Sequence, residues 1–389
     1  MKTDQIQKVH KDWYKLDLSA IVYPTLQRRD FSSVYRLSVL LKEDIDPEIL
    51  QRAVNLTMPR FPTYKAAIRK GVFWRYLEPN DRPGPFVQED VKNPCQPMHF
   101  KGNNRYLVRI YYYRNRIALE AHHSLGDGTG GMCVLQTLTA TYLRLKGHSE
   151  IENGGFVLDI LGIPDPGELE DAYMKYANAK VCPPRPGEKT YRVRGTKEPF
   201  YTLNIIDGIM SVSEVMQVAK SYNATITEYL NSVLLYALMQ KQESEWHLKL
   251  RPVKIAMPVN LRRFFPSRTL RNFITMIYPG IDPRLGEYTF EEIVTQVHNY
   301  MRYYLNEKLL RGDITTNAET QRNPFIRIVP LFIKDLVVRQ FYTKIQDKNS
   351  SAGLTNMGAL KVPETMKPYI ERFDIYMGQP FSTRTNCAI

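Results

Sequence analysis

The stretch from residue 106 to residue 147 constrains the fold more than any other part of this chain. Residues 106–113 and 116–122 are rich in β-branched and aromatic side chains and read as the two arms of a hairpin turned at Arg114 and Asn115. The second arm runs without a break into His122, His123, Ser124, Leu125, Gly126, Asp127 and Gly128. Beyond the glycines of 126–131, residues 132–145 carry apolar side chains at helical spacing, and Gly147 is a fitting C-terminal stop. Strand, paired histidines, glycine-rich turn and helix are therefore consecutive. Successive side chains of a strand point to opposite faces, so the two histidines cannot both line one site. One faces a cleft and the other faces structure.

The same geometry argues against a mononuclear metal centre, which wants ligands that share a face and a third donor nearby. An imidazole, with a pKa of about 6.5, suits general-base work at neutral pH. Asp127 lies past the turn, where a carboxylate can hold the imidazole indirectly or pair with a cation that fixes the loop. Gly126 and Gly128 relieve crowding there. The run is equally compatible with a plain strand end and an Asp127 N-cap for a helix starting near Gly130, so taken alone it leaves the function open.

The rest of the chain mixes helices with strands. Residues 13–22 read as a short helix and 33–41 as a half-buried strand. Asp46 as N-cap and Pro47 at the first position open a helix whose apolar face is Ile49, Leu50, Ala53, Val54 and Met58, and Pro62 stops it. Residues 64–68 and 72–77 suggest another hairpin. Residues 148–199, with Gly154, Gly155, Pro164, Pro166 and the run from Pro183 to Pro186, mark a crossover between halves 1–189 and 190–389. The second half reads as a strand at 201–206, helices near 212–221 and 227–240, strands at 253–259 and 273–278, helices at 290–305 and 325–344, and a strand at 351–360 broken by Gly353 and Gly358. Two α/β halves joined in this way enclose a cleft between them.

Charge narrows the partners. Lys and Arg number 53 against 40 Asp and Glu, a formal +13, so the surface attracts anions. The basic residues are scattered, with no zinc-ligand spacing and no aromatic-basic signature, so a polyphosphate ligand such as coenzyme A fits better than nucleic acid. Cys95, Cys133, Cys182 and Cys387 lie far apart with no CxxC pair and read as reduced thiols of a cytoplasmic protein. The N-terminus has no apolar core of a signal peptide. The most apolar long segment, 325–338, is interrupted by Arg327, Pro330, Lys334 and Asp335, so it is no transmembrane segment, though it can lie flat on a membrane surface.

The run His-His-x-x-x-Asp-Gly at 122–128, on a strand leading through a glycine-rich turn to a helix, resembles the signature of the chloramphenicol-acetyltransferase-like acyltransferases. That superfamily includes condensation domains, plant BAHD enzymes, wax ester synthases and, closest here, alcohol O-acetyltransferases. A second likeness is Met257-Pro258-Val259-Asn260-Leu261-Arg262, followed by Pro266 and Asn272-Phe273, with Arg271 where the family has glycine. A third is Leu354-Thr355-Asn356-Met357-Gly358, and residues 13–19 are similar to the family's opening Leu-Asp helix. The matches lie in the family's order and cover most of the chain.

The resemblance implies an α/β (α+β sandwich) architecture of two such domains with a tunnel at their interface. His123 is then the general base. His122, Asp127 and Gly128 are structural, and Asp127 is salt-bridged to Arg262, with Arg263 the alternative partner. Thr355, Asn356 and Gly358 border the donor channel, and Thr355 or Asn356 can contribute to the oxyanion site. No metal or permanently bound cofactor is implied. The co-substrate is acyl-CoA, most simply acetyl-CoA, and the acceptor is a small-molecule alcohol or amine; a carrier-protein donor and a catalytically silent binding protein are the alternatives. No Gly-x-Ser-x-Gly elbow is present, which favours direct transfer over a covalent relay. Two departures stand out. The plant Asp-Phe-Gly-Trp-Gly motif is absent, and the chain stops at residues 386–389, where the family continues, so a truncated or differently completed second half is expected.

Overall fold

The computed structural model describes residues 13–28, 31–179, 188–196, 198–245, 247, 249–344, 349–378 and 385–389. Cys182 and the run Pro183 to Pro186 lie outside them. In the first half the strands are β1 (Tyr14–Lys15), β2 (Val34–Leu41), β3 (Ala66–Lys70), β4 (Arg75–Pro79), β5 (Val87–Glu89), β6 (Val108–Tyr113) and β7 (Arg116–His122). The helices are α1 (Tyr23–Leu26), α2 (Pro47–Thr57), α3 (Gly128–Leu145) and α4 (Ala172–Tyr176). The second half adds α5 (Val212–Ser221), α6 (Ile226–Ser244), β8 (Val253–Asn260), β9 (Ile274–Ile277), β10 (Gly280–Ile281), α7 (Phe290–Tyr304), α8 (Glu307–Arg322), α9 (Pro324–Arg327), α10 (Leu331–Lys344), β11 (Ala352–Thr355), β12 (Ile370–Met377) and β13 (Asn386–Ala388).

The main sheet of the first half has the order β12-β2-β7-β6-β5. Alternate residues of its central strands, Leu37, Val39, Ile110, Ile117 and Leu119, are wholly buried. They form one core with Leu50, Ala53 and Val54 of α2 and Val134, Leu135 and Leu138 of α3. This is the period-two pattern of strands meeting the 3.6-residue pattern of helices. Asp46 caps α2 as its sequence position predicts, accepting from the N–H groups of Glu48 and Ile49. A smaller sheet, β1-β4-β3, flanks this core.

The second half is built on the sheet β10-β8-β11-β13, with β9 also paired to β8. Val253, Ile255 and Met257 of β8 face Leu235, Leu238 and Met239 of α6 and Ile293, Val297 and Met301 of α7. No described helix is long and apolar enough to cross a membrane.

Several expectations need correction. Residues 13–22 are not a helix: β1 is followed by turns, because Asp17 spends its carboxylate on the N–H of Ala20 and on Asn272 far along the chain. Residues 201–206 join no ladder, and Ile205 and Ile206 are exposed, so their apolar alternation finds no sheet. The helix expected at 325–344 is two, α9 and α10, divided at Pro330, which cannot donate into the preceding turn. The strand at 351–360 shrinks to β11, and α8 was not foreseen from its polar sequence. The cut near residue 190 does not part the sheets: β12 pairs with β2 from Ile370 opposite Leu41 to Met377 opposite Tyr35, so the second half returns a strand to the first sheet.

Candidate active site

The ladder of β7 against β2 continues one residue beyond the strand, where the N–H of His123 donates to Ser33 O at 2.9 Å. His122 and His123 then diverge, as the pleat requires. The His122 side chain has no solvent exposure. Its Nδ1 accepts from Ser124 N at 3.2 Å, so the ring proton sits on Nε2, which donates to Gln27 Oε1 at 3.2 Å. Phe100 meets the ring edge-on. Burial pushes this imidazole down to about 3, with the neighbouring His123 and Arg109 acting in the same direction.

His123 as a residue is half-buried. It lies between two aromatic rings: Tyr23 of α1 stacks on it at 4.8 Å, and Tyr35 of β2 is tilted against it at 4.7 Å. Its Nδ1 is buried and has no hydrogen-bond partner among the described residues. Ring contacts therefore hold its orientation. Burial pushes its pKa down to about 4 against the opposing charge of Asp127, which keeps the ring neutral at pH 7.

The second half grips the first at the same place. Asn272 Nδ2 donates to His123 O at 2.9 Å and to both carboxylate oxygens of Asp17, at 3.1 and 3.3 Å. Asp17 is fully buried, and burial raises its pKa although Arg271 and its hydrogen bonds pull the other way. Arg271 is buried; its guanidinium lies 3.7 Å from Asp17 and also bonds Lys15 O. Arg271 thus ties the N-terminal segment to the second half.

Asp127 serves both halves. One oxygen caps α3 by accepting from Thr129 N and Gly130 N; the other accepts from Phe273 N at 2.9 Å and Arg262 Nη1 at 2.8 Å. Arg262 fills its remaining donors with Thr269 O, Asn260 Oδ1 and Arg271 O. The result is a buried ion pair with nearly every lone pair and proton used, the arrangement that keeps such a pair from being a net cost. Arg263 is exposed and lies against Gly358 instead. The turn glycines are explained by the same junction: a Cβ at Gly130 would stand 1.9 Å from Leu270 O, and one at Gly126 2.4 Å from it.

The remaining predicted residues sit on the second sheet. Thr355 ends β11, and Asn356 donates to Thr227 Oγ1 at 2.9 Å while its Oδ1 accepts from Gly358 N. Gly358 adopts a positive φ of 73°, which few side chains tolerate. Met357 reaches across to Gly128, where a Cβ would come within 2.8 Å of its sulfur. The Thr355 segment therefore abuts the start of α3, but its side chains make no hydrogen bond to His123. A hollow of about 530 Å³ lies on the outer side of α7, lined by Glu291, Thr295 and Tyr300, and not by the histidine motif. Sequence reasoning missed Tyr23, Tyr35 and Gln27, which carry no spacing signal because they reach the histidines only through folding.

No protein-family model and no curated protein matches the chain. Solved structures do. Polyketide synthase associated protein 5 from Mycobacterium tuberculosis is 13% identical with a TM-score of 0.57, over 97% of this chain and 90% of that one. Trichothecene 15-O-acetyltransferase from Fusarium sporotrichioides is 12% identical, TM-score 0.57, over 96% and 88%. The starter condensation domain of rhizomide synthetase, in complex with C8-CoA, is 12% identical, TM-score 0.56, over 99% and 87%. The chain has the fold of the chloramphenicol-acetyltransferase-like and condensation-domain proteins. At such identities the likeness speaks for the fold alone.

Proposed function

We propose that this chain transfers an acyl group from coenzyme A, most simply an acetyl group, to the hydroxyl of a small-molecule alcohol, or to an amine, with His123 as general base. The observation that carries the reading is the placement of that ring: at a strand end, set between Tyr23 and Tyr35 with an unpartnered Nδ1, its backbone held by Ser33 from the first half and Asn272 from the second. The formal charge of +13 suits a phosphorylated donor.

In the proposed reaction His123 takes the proton from the acceptor hydroxyl as its oxygen attacks the thioester carbonyl. The tetrahedral oxyanion collapses, the carbon–sulfur bond breaks, and the imidazolium returns the proton to the departing thiolate. Donor and acceptor meet at His123 from opposite mouths of a tunnel between the halves. Asp127 and Arg262 hold the turn that follows the base, His122 anchors the strand end, and Thr355, Asn356 and Gly358 border the donor side. The free thiols of Cys95, Cys133 and Cys387 support a reducing, cytoplasmic setting.

The test is thiol release from acetyl-CoA across a panel of alcohols and amines. His123→Ala lowers turnover by about 10²–10⁴-fold with circular dichroism unchanged; equal turnover of variant and wild type overturns the assignment. The likeness to a condensation domain and to a polyketide-synthase-associated protein favours one second reading, an acyl carrier protein as donor. Turnover with an acyl-pantetheinyl carrier and none with free acyl-CoA would select it.

A further inference from the structure

Helix α10 leaves much of its apolar surface uncovered. At 100° per residue, Phe332, Ile333, Leu336 and Val337 share one face, and that face looks outward: Phe332 is 73% and Leu336 62% exposed. Three polar residues fasten the helix from its inner side and flanks. Asp335 makes two bonds to the guanidinium of Arg75, at 2.6 and 2.8 Å, and accepts from Thr25 Oγ1 at 2.8 Å; Arg339 donates to Thr25 O, and Lys334 to Phe73 O. Alongside, Phe325 and Ile328 of the preceding turn are exposed. The tip of the β3–β4 hairpin lies beside the start of the helix: Leu331 N bonds Val72 O, and Val72 and Trp74 are exposed.

The surroundings of this face are basic. Residues 322–344 contain Arg322, Arg327, Lys334, Arg339 and Lys344 against one acid, Asp335, which is committed to Arg75. Exposed apolar side chains with Phe and Trp on a basic stretch of chain are the composition that sits in the headgroup region of an anionic bilayer.

We infer that α10, the turn before it and the hairpin tip at Val72–Trp74 form a docking surface for an anionic lipid membrane. The surface is one helix from His123, because α10 is pinned to Thr25 of α1 and Tyr23 of that helix stacks on the His123 ring. It stands independently of the catalytic reading.

The experiment is co-sedimentation of the full chain with phosphatidylcholine vesicles with and without phosphatidylglycerol. Wild type and His123→Ala pellet with the anionic vesicles. The double variant Phe332→Ser, Leu336→Ser partitions at least about tenfold more weakly with its melting temperature kept, since neither side chain is packed. Trp74 fluorescence is quenched by brominated lipid, and the quenching falls in Trp74→Phe. The inference is overturned by wild-type protein that stays in solution, by a double variant that binds equally, or by a wild-type dimer that the double variant converts to monomer without either binding vesicles.

Discussion

At the scale of single residues, the two histidines show how one sequence feature splits into two environments. His122, wholly buried with both ring nitrogens engaged, is a structural neutral imidazole; His123 has a buried nitrogen without a partner and a ring between tyrosines. Both have pKa values depressed by burial, to about 3 and about 4. The unfolded chain binds these protons near pH 6.5 and the folded chain does not. Their contribution to stability is therefore complete above about pH 6.5 and is lost as the pH falls toward those folded values. His122 alone lowers stability by about 2 kcal/mol between pH 7.5 and pH 5. Urea unfolding at the two pH values checks this: His123 adds a comparable loss, so His122→Gln roughly halves the difference, and an unchanged pH dependence in that variant would refute it.

At the scale of elements, local signals were readable where local interactions decide. Asp46 and Pro47 announce α2, and the strand–turn–helix run through β7 and α3 was visible from alternation, glycines and helical spacing. Residues 13–22 misled because Asp17 bonds Asn272, and 201–206 because an alternating pattern forms a strand only where a neighbouring strand is free to pair. Helix α10 shows the same limit: its apolar residues suggest burial, yet its position is set by polar bonds to Arg75 and Thr25. Burial raises the Asp335 pKa, but the bond and charge of Arg75 outweigh it and hold the carboxyl below its usual range. Asp335→Ala should release the helix while the β-sheets keep their protection. Amide exchange over 331–344 then speeds up by about tenfold or more, and exchange equal to wild type would show that the pin is unimportant.

At the scale of the whole molecule, the halves are joined by β12 in the first sheet and by the Asp127–Arg262 pair beside the candidate base. Asp127→Asn separates the roles of that carboxylate, because asparagine caps a helix about as well as aspartate. What it removes is the charge facing Arg262. The expected loss is about 3 kcal/mol of unfolding free energy, with helix content unchanged, since a buried guanidinium is left without its counterion. A change under about 0.5 kcal/mol in urea unfolding would mean that the pair does not lock the halves.

The sequence by itself determined the secondary elements whose reasons are local: the caps, the alternation of β7, the glycine turn and the position of His123 at a strand's end. It also carried the fold class, through motifs strung in order along most of the chain. Only the tertiary structure decided which tyrosines hold the His123 ring, that Arg262 and not Arg263 reaches Asp127, that β12 crosses back to β2, and that α10 turns its apolar face outward. The physical reason is range. Capping and periodicity act within a few residues, whereas ring stacking, buried ion pairs and strand insertion join groups far apart in the chain, such as Asp127 and Arg262 at a separation of 135 positions, and such pairings leave no spacing in the chain to read.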